Sequence, residues 1–273
     1  MKMKKTIFYG LLAVILALTL AITLVACGDE EEDSKTPFPT DGTLDEKLTW
    51  VSSEDNVKDG ETYTIEVTAD ETISGHDISP GAIHITIVLK GIGAERKISF
   101  SDGTYGAFLL SVGQYVTLVL DENITLQGRS DSTTSLVIVR GGRLEMKAGA
   151  KIIGNTNTAA YSGGGGVYVS NGGTFTMNGG TISGNTATGS LGGGGVYVAA
   201  GGTFTKTGGT IYGYSESDTV NSNVVKNSSG AVQNNKGHAV NAGSGKLRET
   251  TVGSSDNLDS TKTGAEGGWA AED

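Results

Sequence analysis

Between residues 137 and 212 apolar and polar positions alternate in short runs, with no trace of helical spacing. Val167-Tyr168-Val169, Thr174-Phe175-Thr176-Met177 and Thr181-Ile182-Ser183 are each β-branched or aromatic at every second place and are separated by glycine pairs. Period two with glycine punctuation predicts three short strands joined by three turns. The same set then returns: Val167 maps to Val196, Phe175 to Phe204 and Ile182 to Ile211, each a step of 29 residues. A blurred earlier copy runs through Val137-Ile138-Val139, Leu144-Glu145-Met146 and Ile152-Ile153-Gly154-Asn155.

A unit this short cannot bury its own apolar face, so a fixed period of 20 to 50 residues predicts stacking into a solenoid. Three strands per 29 residues suit one coil of a parallel β-helix better than a stack of separate hairpin sheets. In a coil Phe175 would lie over Phe204, and Ile152, Ile182 and Ile211 would form one column. Asn155 and Asn185 would stack at a turn, a ladder that the third copy ends with Gly213-Tyr214. Earlier runs, at residues 62–67, 83–89, 97–100, 107–111 and 115–120, read as less regular coils, and Leu118-Val119-Leu120 matches Leu144-Glu145-Met146 at a step of 26. The fold class is all-β, a single-stranded parallel β-helix with coils of about 22–30 residues.

The Gly-Gly-Gly-Val-Tyr-Val phrases at 164–169 and 193–198, with Ser-Gly-Asn-Thr-Ala at 183–187, carry a family resemblance over roughly residues 60–253. They are similar to the repeats of right-handed parallel β-helices of the pectate-lyase-like superfamily, and among these to bacterial surface adhesins and polymorphic outer-membrane proteins. The resemblance implies the right hand, in keeping with the general hand of parallel crossovers.

The N-terminus bears on location. Lys2, Lys4 and Lys5 precede an uncharged apolar run over residues 7–26, ending in Leu24-Val25-Ala26-Cys27. That order predicts a secretory signal, and the last four residues resemble a lipoprotein lipobox, in which Cys27 is lipidated and becomes the first mature residue. The alternative is a plain membrane anchor, for which the run is long enough. Cys27 is the single cysteine, so stability is expected from the ladder and core rather than from disulfides. The acidic run Asp29-Glu30-Glu31-Glu32-Asp33 then forms a solvated tether, and in some bacteria such a run also sorts lipoproteins. The expected domains are a signal peptide at 1–26, a lipidated tether at 27–44, a β-helix at 45–253 and a cap or tail at 254–273. Within the β-helix the clearest repeats span 132–214, a polar loop 215–229 and a last coil 230–253. Trp269 would fold back as a lid on the open end.

Composition narrows the partners. Glycine supplies 43 of 273 residues without a three-residue period, which excludes collagen. The net charge of −10 becomes −13 once three lysines leave with residues 1–26, so nucleic acid is a poor partner. No metal-ligating run and no cofactor motif is present; Gly163 to Gly166 lacks the Gly-Lys-Ser/Thr ending of a phosphate loop. The charged residues of 137–212 are Arg140, Arg143, Glu145, Lys147, Lys151 and Lys206, without an aspartate, so no catalytic residue is assigned there. Asp121, Glu122, Arg129 and Asp131 form the best enzymatic candidate, set against a solvated turn. Tyr168 and Tyr197 either form an exposed ladder that stacks on sugar rings or only reinforce the sheet. The expectation is a non-enzymatic lipoprotein held to a membrane through Cys27, at the outer membrane or cell surface rather than the periplasmic face of the inner membrane. It would act in adhesion or surface coating on extracellular matrix or glycan. The alternative is a periplasmic lipoprotein that binds or degrades polysaccharide.

Overall fold

The structure, a computed structural model, describes residues 36–101, 108–243 and 245–269. The signal peptide, Cys27, the tether up to residue 35 and the last four residues lie outside the described residues. The described residues from Pro37 onward belong to one compact unit, which holds the solenoid.

Six coils stack in parallel. The first is β1 (Thr62–Val67), β2 (Glu71–Ile73) and β3 (His76–Ile78); the second is β4 (Ile85–Gly91), β5 (Arg96–Phe100) and β6 (Leu110–Val112). The third is β7 (Val116–Leu120), β8 (Ile124–Gln127) and β9 (Val137–Val139), and the fourth is β10 (Arg143–Met146), β11 (Lys151–Ile153), β12 (Thr156–Asn157) and β13 (Val167–Val169). The fifth is β14 (Thr174–Ser183), β15 (Thr186–Ala187) and β16 (Val196–Val198), and the sixth is β17 (Thr203–Ile211), β18 (Val224–Val225) and β19 (Val240–Ala242). The predicted register holds: Leu118 pairs with Leu144, Val137 with Val167 and Phe175 with Phe204. Along the leading strands Thr62 meets Thr86, Thr117, Arg143, Thr174 and Thr203, steps of 24, 31, 26, 31 and 29 residues.

Alternate residues of each strand point inward and fill one continuous core, in which Phe175 and Phe204 stack at 5.0 Å. The runs read as separate strands at 174–177 and 181–183 are one strand, β14, which continues through Gly179-Gly180 with a shift of register. The glycine runs lie where successive coils come closest. The N–H groups of Gly164, Gly165, Gly166 and Val167 donate to carbonyls of Gly192 to Gly195 at 2.9–3.3 Å, so these four are used between coils rather than turned to an anion.

The asparagine ladder runs further than Gly213-Tyr214 suggested. Asn155 N–H donates to Asn185 Oδ1 and Asn185 N–H to Asn223 Oδ1, both at 3.0 Å. The polar insertion between Tyr214 and Ser222 loops out and returns the chain to the same corner, where Asn223 is fully buried. A second correction concerns the last coil. Residues 246–248 are not part of a seventh parallel turn: β20 (Lys246–Arg248) folds back antiparallel on β19, and β21 (Leu258–Asp259) does the same on β17. Reversed strands occupy the hydrogen-bonding edge on which another coil would grow.

Both ends are capped. At the start, α1 (Leu44–Val51) lies where the sequence analysis opened the β-helix. Thr43 and Glu46 close a capping box, which satisfies two otherwise orphaned N–H groups, while Leu44, Leu48 and Val51 bury against the first coil. Asp45 then bonds His76 of β3 at 2.8 Å. At the other end α2 (Gly264–Gly267) brings in Trp269, which is fully buried and donates its indole N–H to the Asp259 carbonyl at 2.9 Å, as the lid reading expected. Lys206 takes the inward position paired with Met177 and is itself fully buried. Its ammonium donates to the carbonyls of Gly253 and Asp256, both at 2.7 Å, and so ties the cap to the core.

The two caps respond to acid in different windows. The His238 Nδ1 accepts from the Val225 N–H at 2.9 Å, while Nε2 lies 3.2 Å from a Glu249 oxygen but off the hydrogen-bonding axis. Burial pulls the imidazole below its ordinary 6.5, outweighing the pull of Glu249. The unfolded chain therefore binds the extra proton first, and stability falls as the pH drops from 6.5 through the lower folded value. For Asp45 burial pushes the carboxyl up, but hydrogen bonds from His76 and Ser74 outweigh it and leave it below 3.8. Its contribution is present above 3.8 and is lost as the pH falls through the folded value. On acidification, emission from Trp269 is expected to shift to the red before that of Trp50 in α1. Simultaneous shifts would show that the caps do not open separately.

Candidate binding groove

The outward face of the sheet built from β3, β6, β9, β13, β16 and β19 carries the column Ile138, Tyr168, Tyr197 and Asn241. Tyr168 and Tyr197 stack at 5.5 Å with their planes 27° apart, as the repeat predicts. Their environments differ, however. Tyr197 is only 7% exposed, because its ring lies against Gly163, where a Cβ would come within 2.5 Å of the ring. Burial accordingly raises its hydroxyl pKa above 10.0, with a smaller push from Tyr168. The two tyrosines are thus not an exposed ladder: Tyr197 is a backing plate and Tyr168, half-buried, is the ring that reaches the surface.

Tyr168 lines a depression of about 700 Å³ with Ile138, Arg140, Ser162, Asn171 and Gln114. A second depression of about 350 Å³ is lined by His84, Tyr115, Thr86, Thr117 and Arg143. Gln114 and Gly141 line both, so the two meet at the corner between the sheets. The rings of His84 and Tyr115 lie edge to face at 4.7 Å, and His84 is held by Asp59, whose carboxylate accepts from its backbone N–H at 2.7 Å and lies 3.1 Å from Nδ1. Arg140 lies over the Phe108 ring at 5.0 Å and 4.0 Å from Asp77, the outer limit of an ion pair. The side chains at hand are thus two tyrosine rings, the His84 imidazole, two guanidinium groups, and amide and hydroxyl groups. Alternation singled out the tyrosine pair, but Gln114, Tyr115, Arg140 and Arg143 went unread because they come from turns of different coils. The register comparison that brings Tyr115 level with Gly141 was the available signal.

The enzymatic candidate is broken up by its own ion pairs. Asp121 meets Lys147 at 3.1 Å, Glu122 meets Lys90 at 2.9 Å, and Arg129 turns to Asp131 at 2.6 Å. Burial pushes the Asp121 carboxyl up, yet the Glu122 N–H and Lys147 outweigh it and hold it below its ordinary value. Arg129 holds Asp131 low as well. A general acid needs the opposite shift. The other histidines are tied structurally, His76 to Asp45 and His238 to the Val225 N–H.

Fold and groove together define a parallel β-solenoid with capped ends and an aromatic, arginine-bearing depression on one corner. Comparison with family models, with curated proteins and with solved structures finds no match.

Proposed function

We propose that the chain is a non-enzymatic, lipid-anchored envelope protein whose solenoid is displayed outside the cytoplasmic membrane and binds glycan at Tyr168, in adhesion or surface coating. The observation that supports it most is the half-buried Tyr168 ring, braced from behind by Tyr197 and rimmed by Asn171, Ser162 and Gln114. A rigid aromatic face beside amide and hydroxyl groups suits the apolar face and hydroxyls of a sugar ring. Lipid on Cys27 would hold the display site at the membrane. Tyr168→Ala is expected to weaken binding of the purified full chain to immobilised glycans at least tenfold while lowering stability by about 1 kcal/mol, the scale of one aromatic pair. Undiminished binding in that variant would refute the site. Protease cleavage on intact cells checks the display.

A polysaccharide-degrading reading stands second, favoured by the contact of His84 and Tyr115 beside Arg143. It requires that the protein shorten a polysaccharide and that His84→Ala abolish the shortening; a chain length unchanged on prolonged incubation removes it.

A further inference from the structure

Three non-glycine residues among those described have positive φ, and two of them, Asn123 and Asn235, are of the type that tolerates it. The third is Tyr115, at φ 68°. Coil register places Tyr115 level with Gly141, Gly172 and Gly201, whose φ values are 79°, 75° and 81°. From Tyr115 onward the corner turns through positive φ, and the three coils that follow supply glycine for it, whereas His84 in the coil before stands at the same level without it. The coil beside the groove supplies a tyrosine, at a conformational cost of about 1–2 kcal/mol. Its ring gains little from the core, being 39% exposed and touching His84 at the surface. A strained residue whose side chain does not pack inward points to work done at the surface.

The charge around it is equally uneven. Acidic residues outnumber basic ones 30 to 20 in the chain, yet among the described residues neither depression is lined by an aspartate or glutamate. Arg140 and Arg143 lie there instead, flanking the Gly141-Gly142 corner. Arg143 is exposed and makes no ion pair among the described residues, while Asp77 pairs with Arg140 and Asp59 with His84. Guanidinium groups are planar forks suited to carboxylate or sulfate.

Resting on the glycan reading above, we infer that the two depressions form one groove for an anionic glycan, with Tyr168 and Tyr115 as two stacking subsites and Arg140 and Arg143 between them holding carboxylate or sulfate. The subsites are two coil steps apart, about 10 Å along the axis at the usual strand spacing, so the ligand is an oligosaccharide rather than a single sugar.

The test is binding of the purified full chain to hyaluronan (carboxylate only), chondroitin sulfate (carboxylate and sulfate) and dextran (neutral), for wild type, Tyr115→Gly and Arg143→Gln. Wild type is expected to bind at least one charged polymer and not dextran. Tyr115→Gly should lose at least tenfold in affinity with a melting temperature unchanged or higher, because glycine relieves the corner. Arg143→Gln should lose a similar factor and show a shallower salt dependence. Hyaluronan bound as well as chondroitin sulfate assigns the arginines to carboxylate; preference for chondroitin sulfate assigns them to sulfate. Dextran bound as tightly as the charged polymers overturns the anionic groove and leaves the glycan reading standing, whereas no glycan bound by any form overturns that reading itself. Unchanged affinity in Tyr115→Gly, or a lower melting temperature, overturns the subsite.

Discussion

Asn185→Ala is expected to destabilise the solenoid by about 3–5 kcal/mol, because each buried polar group left without its partner costs roughly 1–3 kcal/mol. The Asn185 Oδ1 accepts the Asn155 N–H at 3.0 Å, and Nδ2 donates to the carbonyls of Ile152 and Ser183 and to Asn223 Oδ1 at 3.0–3.1 Å. All of these groups sit where water does not reach. The alanine variant keeps the donors and acceptors but removes what satisfied them, so the loss exceeds that of a hydrogen bond at the surface. Asn178 offers the control: it is exposed and bonds only Thr207 across the next coil, so Asn178→Ala should cost under about 0.5 kcal/mol. Urea unfolding of the two variants checks the contrast. Because Asn155, Asn185 and Asn223 form one chain, the double variant Asn155→Ala/Asn185→Ala should lose less than the sum of the single losses. Equal small losses at positions 178 and 185 would show that the corner is hydrated.

The Asn223 rung also shows where the sequence stopped being legible. The first two rungs keep a constant offset from the strands that precede them, so alternation and spacing locate Asn155 and Asn185 at once. An inserted loop displaces the third, and only hydrogen bonds between coils reveal that the chain has come back. Insertions cost little when their ends stay close, which is why a regular ladder can carry an irregular sequence. The last strands were misplaced for a related reason. Residues 246–248 alternate as a parallel strand would, and period two does not encode direction. The helix at the front did leave a signal, Thr43 followed three residues later by Glu46, but it straddles the boundary at 44/45 drawn between tether and β-helix and so went unread. The groove was the least legible feature. Tyr168 stands in a repeated strand and was picked out, but Tyr115, Arg140 and Arg143 acquire meaning only when turns of successive coils are laid over one another.

Phe175→Ala is expected to cost about 3–5 kcal/mol, the range for an aromatic side chain removed from a packed core, and to split unfolding into two stages. Phe175 is fully buried, paired through its strand with Leu144 on one side and Phe204 on the other, whose ring it meets at 5.0 Å. In a solenoid each coil contacts only its neighbours, so stability is a sum of coil and interface terms, and a cavity in the fifth coil weakens the two interfaces that join the sixth coil and its cap to the rest. The molecule carries its own reporters, one tryptophan in each cap. Trp50 packs against Phe38 at 5.3 Å and Tyr63 at 5.4 Å beside the first coil, while Trp269 is fully buried over the last. In Phe175→Ala carrying Trp50→Phe, emission from Trp269 should report a transition at markedly lower urea than emission from Trp50 in the matching Trp269→Phe protein. In the parent background the two single-tryptophan proteins should unfold together, since intact interfaces keep the coils coupled. Coincident transitions in the alanine variant would mean that coupling through the core extends beyond nearest neighbours, and that the six coils fold as one unit whatever the strength of any single interface.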